Sequence, residues 1–355
     1  RAREDITDYF AKIAERYNAI IRDLGLDYDI TGELAYICDG INHHTGRDFA
    51  ASRGEYLSSL ILAKYLKYDF IDAESVIFFK ENGSFDSEKT REELRKELKK
   101  HERAVIPGFY GVMPNGTIRT FSRGGSDITG SIVAEAAEAE LYENWTDVSG
   151  CLMADPRIVK NPRPIRTVTY RELRELSYMG ASVLHEEAIF PVRAAGIPIN
   201  IRNTNDADAP GTMIVAGTSE YDAKTVITGI AGKKGFSVIS VEKDMMNSEI
   251  GFARKMLDVL EDNEISFEHL PSGVDTMSMI VASSELEGRR EKLLSSINRV
   301  CRPDSIVCED GVALLAVVGR GMVKARGTAA RVFDAISGAG VNIRMIDQVS
   351  SELNI

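Results

Sequence analysis

The chain is poor in several features that would place it in other protein classes. It has four cysteines, Cys38, Cys151, Cys301 and Cys308, with no CxxC pair among them. That scatter excludes a disulfide framework and predicts free thiols in a cytosolic protein. Five histidines show no HxxxH spacing, so no metal site is expected. No apolar run is long enough to span a bilayer, which gives no reason to expect a membrane partner, and the charged opening RAREDITDYF is no signal peptide. Positive charge is in deficit: a net formal charge of −11 argues against a nucleic-acid partner. A nucleotide is still allowed, because backbone dipoles and a few cations hold phosphate whatever the net charge. What remains is an ordinary globular balance in 355 residues, enough chain for two or more domains.

Apolar residues at helical spacing predict a helix over 5–24, through Phe10, Ile13, Tyr17 and Ile21, and another over 54–65. Residues 75–79 read as a short buried strand. Thr90-Arg91-Glu92-Glu93 reads as a capping box opening a charged helix. Residues 104–110 and 118–121 read as strands around the turn chemistry of Asn115-Gly116. A helix is predicted over 127–141, a strand over 143–148, a loop over 155–164, helices over 170–179 and 186–195, and a strand over 198–202. Strand, glycine turn, helix and strand in succession imply an α/β domain with a mainly parallel sheet. Beyond about residue 222 the rhythm changes to an internal repeat. Gly251-Phe-Ala-Arg-Lys-Met-Leu lines up with Gly327-Thr-Ala-Ala-Arg-Val-Phe, each preceded by a strand (236–241, 313–318) and followed by another (265–269, 341–346).

The segment TFSRGGSDITG, 120–130, carries the most chemistry. A strand runs through Gly124 and Gly125 into a helix, which offers close backbone approach and unpaired N–H groups at a positive dipole end. Two readings are open here: an anion site, with Arg123 adding a two-pronged grip on carboxylate, or a turn capped by Ser126 or Asp127.

RGGSD followed by Thr129 resembles the signature of the aspartate kinases. Ser52-Arg53-Gly54-Glu55 resembles that family's S-x-G-E segment, and Trp145-Thr146-Asp147-Val148 with Asp155-Pro156-Arg157 its WTDV…DPR. Gly180-Ala181 with Val183-Leu184-His185 resembles GAKVLH, and Asn203-Thr204 with Pro210-Gly211-Thr212 resembles NT…PGT. The resemblance implies a three-layer α/β/α amino-acid kinase fold over 1–222 and a regulatory α+β pair of ACT modules over 223–355. The first module, about 235–305, would be inserted into the second, about 223–234 plus 306–355, with 225–230 joining the distal sheet. It implies ATP and Mg²⁺ as nucleotide and metal, and phosphoryl transfer to the β-carboxylate of L-aspartate. Glu55 would meet the substrate ammonium, Arg123 a carboxylate, and Ser126 and Asp127 would orient substrate and phosphates. Gly124, Gly125, Thr146, Asp147, Asp155 and Arg157 would border the nucleotide, while Trp145 reads as a core residue rather than a base-stacking platform. Met246, Ser266 and Glu268 resemble a lysine site, so lysine, or threonine, is the implied allosteric partner. The assembly implied is a homodimer or a dimer of dimers, in the cytoplasm.

The sequence departs from the family's pattern where a KFGG-type loop and its lysine would open the chain, and at Ser182, where a second lysine is usual. A polypeptide beginning at Arg1 is expected to be inactive as a kinase, and an ending at Ile355 leaves the last ACT module incomplete. No GxGxxG follows a strand, so no homoserine dehydrogenase portion is expected. The rival readings are a non-catalytic amino-acid sensor, and a related kinase acting on glutamate, acetylglutamate or UMP.

Overall fold

The computed structural model describes residues 6–42, 46–180, 186–217, 225–348 and 353–355. They fall into two compact units, one drawn from Arg1–Cys151, Arg166–Tyr170 and Val183–Ser219, the other from Leu152–Ile165, Arg171–Ser182 and Glu220–Ile355.

The first unit opens with helices α1 (Thr7–Asp23), α2 (Thr31–Asn42) and α3 (Arg47–Leu66). Their apolar faces close over Phe10, Ile21, Ile30, Leu34, Ile37, Leu57 and Ile61. Helix α3 starts well before the predicted residue 54, because its first turns bury polar residues that apolar periodicity does not register. Ser52 and Arg53 are both buried there. The Arg53 guanidinium lies 4.8, 4.9 and 5.0 Å from the ring centres of Phe49, Tyr56 and Tyr110, and donates to Ser52 Oγ.

After β1 (Asp69–Phe70), the strand expected at 75–79 is replaced by the one-turn helix α4 (Ala73–Val76). The Asp72 carboxylate caps that turn by accepting the Glu74 N–H at 3.1 Å, and Phe78 and Phe79 make only single bridges. Helix α5 (Ser87–Leu98) also corrects the sequence reading: its cap is Asp86, not Thr90. Thr90 lies inside the helix, where its buried hydroxyl accepts the Phe78 N–H at 2.9 Å.

Strand β2 (Ala104–Val105) pairs parallel with β1, and β3 (Tyr110–Val112) forms a hairpin with β4 (Ile118–Thr120). Next come α6 (Gly125–Ala136), β5 (Tyr142–Thr146), β6 (Thr167–Thr169), α8 (Phe190–Ala195), β7 (Ile199–Asn203) and β8 (Thr212–Val215), while α7 (Tyr170–Tyr178) belongs, apart from Tyr170, to the second unit. These strands form a sheet in the order β5-β7-β8-β6, parallel except between β7 and β8. The α/β class and mainly parallel sheet are as expected.

The second unit is built on β9 (Gly229–Glu242) and β11 (Ser305–Val318), with β10 (Thr276–Ala282) on the far side of β9. Both long strands run through two packing environments. Helices α9 (Phe252–Asp262) and α10 (Arg290–Cys301) cover one half over a core that includes Ile239, Val241, Met256, Met279 and Ile297. Helix α11 (Thr328–Gly338) follows the other half. A bulge in β11 between Glu309 and Ala313, with Gly311 at φ +78°, separates the halves. The repeat is visible in the caps: α9 and α11 begin at Gly251 and Gly327 with φ +83° and +79°. Thr228 and Gly229 pair with Val318 at the end of β11.

Two expected strands are not ladders. In 265–269 only His269 bridges, to Ile280, and the chain then follows β10 as far as Pro271, which has no N–H to give, and Ser272. Residues 341–346 make no bridge among the described residues. Val341 and Ile346 are mainly exposed there, while Ile343 and Met345 are partly buried and Met345 packs against the cluster of Phe236, Val238 and Ile280.

Candidate active site

The double-glycine corner resolves one of the alternatives left by the sequence. Gly124 occupies the cap of α6 in the left-handed region, φ +54°, and no side chain caps the helix. Ser126 and Asp127 are inside the first turn rather than at its cap, so its N–H groups remain available to an acceptor. By contrast α4 and α5 carry aspartate caps. Gly125 is required by packing: a Cβ there would lie 2.5 Å from Phe109 Cβ and 2.9 Å from its Cα. Phe109 itself holds φ +59°, uncommon for an aromatic residue. Thr129 fixes it, accepting the Phe109 N–H at 3.0 Å and donating to the Gly125 carbonyl at 2.9 Å.

This arrangement draws α3 toward the corner. Glu55 accepts the Gly108 N–H at 3.4 Å, and Gly108 lies so close to Ser126 that a Cβ would meet its Oγ at 3.0 Å. Glu55, Gly108, Ser126, Thr129 and Gly130 line one end of a cavity of about 840 Å³. Its remaining wall mixes Leu, Ile, Val and Ala side chains with charged ones, among them Arg95, Lys99, Glu102 and Glu138, and includes Ala104 of β2 and Tyr142 of β5. Arg123 and Asp127 are not among the residues lining that cavity. Arg123 is exposed and makes no hydrogen bond or ion pair among the described residues. Half-buried Asp127 accepts from Asn144 Nδ2 at 2.9 Å, and Asn144 also donates to the Tyr142 hydroxyl at 3.0 Å. Tyr142 and Asn144 stand on one face of β5, as their two-residue spacing allows. Burial pushes the Tyr142 hydroxyl pKa up. Sequence reasoning missed Asn144 and Gly108; the period-two spacing in β5 was the available signal for Asn144, and nothing local pointed to Gly108.

The nucleotide-motif residues divide between the units. In the first, Thr146 donates to Asp147 Oδ1 at 3.2 Å, and its carbonyl accepts both the N–H and the hydroxyl of Thr204. Trp145, expected in the core, is 44% exposed, with Arg202 stacked 4.8 Å from its ring centre. Gly211 and Thr212 serve the sheet: a Cβ on Gly211 would reach 1.9 Å from the Ile201 carbonyl oxygen, and Thr212 Oγ1 accepts the Cys151 N–H. In the second unit, Asp155 and Arg157 form an ion pair at 2.7 Å. Hydrogen bonds from the Arg157 side chain and backbone hold the Asp155 carboxyl below its ordinary range. Ser182 and His185 lie outside the described residues.

Of the regulatory candidates, Met246 is buried in the core beneath α9, Ser266 is exposed, and Glu268 accepts a hydrogen bond from the Tyr178 hydroxyl. Among the described residues no group of three or more His, Cys, Asp or Glu could hold a metal ion, and no helix is long and apolar enough to cross a membrane.

Residues 9–203 match the model of the amino acid kinase family, and 315–355 match that of an ACT domain. Aspartokinase 3 of Bacillus subtilis is 38% identical over 97% of this chain and 78% of its own length. The aspartate kinase of Clostridium acetobutylicum, described as an allosteric enzyme, superposes with a TM-score of 0.89 at 53% identity, over 98% of this chain and 80% of that one. Aspartokinase III of E. coli, solved with lysine and aspartate, superposes with a TM-score of 0.66 at 24% identity, over 98% and 80%. With most of its length matched at this level, the chain belongs to the aspartate kinase family.

Proposed function

We propose that the part of the α6 cavity lined by Glu55, Gly108 and Ser126, together with the uncapped start of α6, is where this aspartate kinase brings L-aspartate to the γ-phosphate of ATP. The observation that carries the reading is the α6 start: a left-handed glycine cap, no side-chain acceptor, and Glu55 and Ser126 meeting at Gly108. Glu55 receives the substrate ammonium, and Arg123 clamps a carboxylate with its planar fork. The first-turn amides and Ser126 hold phosphate oxygens. Asp127, held by Asn144, orients the reacting groups. In the first unit Gly124, Gly125, Thr146 and Asp147 serve the nucleotide. The β-carboxylate is already ionised at neutral pH, so the chain needs no general base, and positioning with charge neutralisation does most of the work. The fit to a metal is modest: Asp127 and Asp147 offer hard oxygen ligands, but no cluster, which suits Mg²⁺ arriving on the nucleotide with most of its shell from phosphate and water. When bound, Mg²⁺ supplies neutralisation of phosphate charge.

Residues 1–222 are taken as the catalytic domain and 223–355 as the regulatory pair, with the module at about 235–305 inserted into the other. Lysine, or threonine, bound near Met246, Ser266 and Glu268 lowers activity by favouring an inactive arrangement. A cytoplasmic homodimer or dimer of dimers is the working assembly.

Turnover of ATP with aspartate against glutamate tests the substrate, and Arg123→Ala tests the site. The variant is expected to lower kcat/KM for aspartate about 10²-fold, ~2.7 kcal/mol, with the KM for ATP little changed. Equal turnover of both amino acids, or an Arg123→Ala enzyme with unaltered aspartate kinetics, would remove this reading.

A further inference from the structure

Helix α7 carries polar side chains at three successive positions of one face, Glu172, Glu175 and Tyr178. Each meets a different part of the second unit. Glu172 is fully buried. Its Oε1 accepts the Thr228 hydroxyl at 2.6 Å and the Arg320 N–H at 3.0 Å, and its Oε2 takes the Arg320 guanidinium at 2.8 Å. Glu175 accepts from Asn354 Nδ2 at 2.6 Å. Tyr178 donates its hydroxyl to Glu268 Oε2. The apolar residues between them pack as well: Leu176 reaches Gly229 so closely that a Cβ there would meet its Cδ2 at 2.9 Å. The N-terminal part of the helix is therefore held by buried, charge-assisted bonds. Tyr178, at the C-terminal end, is 56% exposed and is joined to a half-buried carboxylate.

We propose that Tyr178 belongs to the effector site as an internal competitor: its hydroxyl occupies on Glu268 the position that the ammonium of a bound amino acid takes. This rests on the reading of Glu268 as an ammonium-binding residue. A carboxylate oxygen that already accepts a phenol hydrogen bond is offered to a cation only after that bond opens or is shared. An ammonium, carrying charge and three donors, is the stronger partner. Effector binding then releases the C-terminal turn of α7 while Glu172 keeps the other end in place. The free energy of effector binding is thus spent in part on freeing the turn that leads directly into residues 181–185, the segment of the GAKVLH-like motif. Partial burial, and the bond to Glu268, push the Tyr178 hydroxyl pKa up to about 12, so it remains a donor at neutral pH.

The test uses the full chain and lysine as probe, with titration calorimetry for affinity and hydrogen exchange of the peptide spanning α7. Removing the competitor with Tyr178→Phe is expected to tighten lysine binding about 3- to 10-fold, as expected when a ligand no longer has to select a minor state. In the wild type, saturating lysine should speed exchange in the last turn of α7. In Tyr178→Phe that turn should exchange fast already, and lysine should add nothing. Unchanged affinity together with an unchanged exchange response in Tyr178→Phe overturns the competition while leaving the effector site intact. Glu268→Gln separates the two ideas: if lysine binds this variant as tightly as wild type, the assignment of Glu268 itself is wrong, and the competition falls with it.

Discussion

Around the double-glycine corner, Arg123 and Ser126 are exposed and the first turn of α6 has no side-chain cap, whereas in the second unit fully buried Glu172 is met by three donors from Thr228 and Arg320. Asp310, half exposed, accepts from both Ser237 and Arg290 through Oδ1 at 2.6 Å. Both regions are rich in charge, yet one holds its donors open and the other consumes them internally. A site that must bind a charged ligand keeps hydrogen-bonding capacity in reserve and uses glycines and close packing to fix its shape. A region that links elements spends that capacity on itself and becomes rigid. The comparison makes two mutational demands of opposite kind.

The larger effect is expected at Glu172. Glu172→Ala strips a buried carboxylate from Arg320 and should destabilise the second unit by about 3–5 kcal/mol, the usual cost of leaving one member of a buried pair behind. Glu172→Gln keeps one acceptor for Thr228 or the Arg320 N–H and should lose less. Urea unfolding followed by hydrogen exchange in β9 and β11 reads the unit directly, and a loss under 1 kcal/mol for the alanine variant would break the contrast. Next in size is Gly125→Ala. Its Cβ overlaps Phe109 backbone and side chain, so the first unit should lose about 1–3 kcal/mol through overpacking. Trp145, the only tryptophan, makes fluorescence a reporter for that unit. Aspartate turnover should fall further than stability does, because the corner that moves is the one proposed to hold the ligand.

What could be read from the sequence followed the range of the interaction. The strand, two glycines and helix around Gly124 were legible because each signal is local, and the Gly251 and Gly327 repeat because both copies use the same left-handed start. The cavity was legible only in part. Glu55 and Ser126 do meet, but through Gly108, whose role depends on packing across three separate elements, and Arg123 stands outside the cavity lining. Asn144 reaches Asp127 from 17 residues away, a pairing set by where β5 lies beside α6. Thr90 misled for a related reason: its place three residues before an acid imitates a cap, while the fold spends its hydroxyl on Phe78. Helices α2 and α10 and strand β10 were passed over in the sequence, although Leu34, Ile37, Cys38 and Ile41 of α2 and Leu293, Ile297, Val300 and Cys301 of α10 stand at helical spacing. Trp145 shows the reverse error, an aromatic assigned to the core by its type but left half in solvent under Arg202.

The smallest effect sharpens the comparison at a border between the two behaviours. His101 lines the α6 cavity, yet its ring is already engaged, with Nδ1 2.8 Å from Asp69 Oδ2 and Nε2 3.2 Å from Glu97 Oε1. The hydrogen bond to Asp69 first, and that to Glu97 second, raise its pKa above 6.5. A group whose pKa rises on folding stabilises the fold fully below its unfolded value and loses that contribution as pH climbs through the folded one. Glu97 sets the acid limit: its own pKa is lowered, by Lys100 first and His101 second, so its share is present above 4.5 and fades as pH falls through the lowered value. His101→Gln should therefore cost thermal stability most at about pH 5.5–6, and the gap from wild type should narrow steadily toward about pH 8.5. A gap that stays constant across that range would mean the ring acts only by packing, and His101 would then count as cavity wall rather than as one of the charges the fold has already spent.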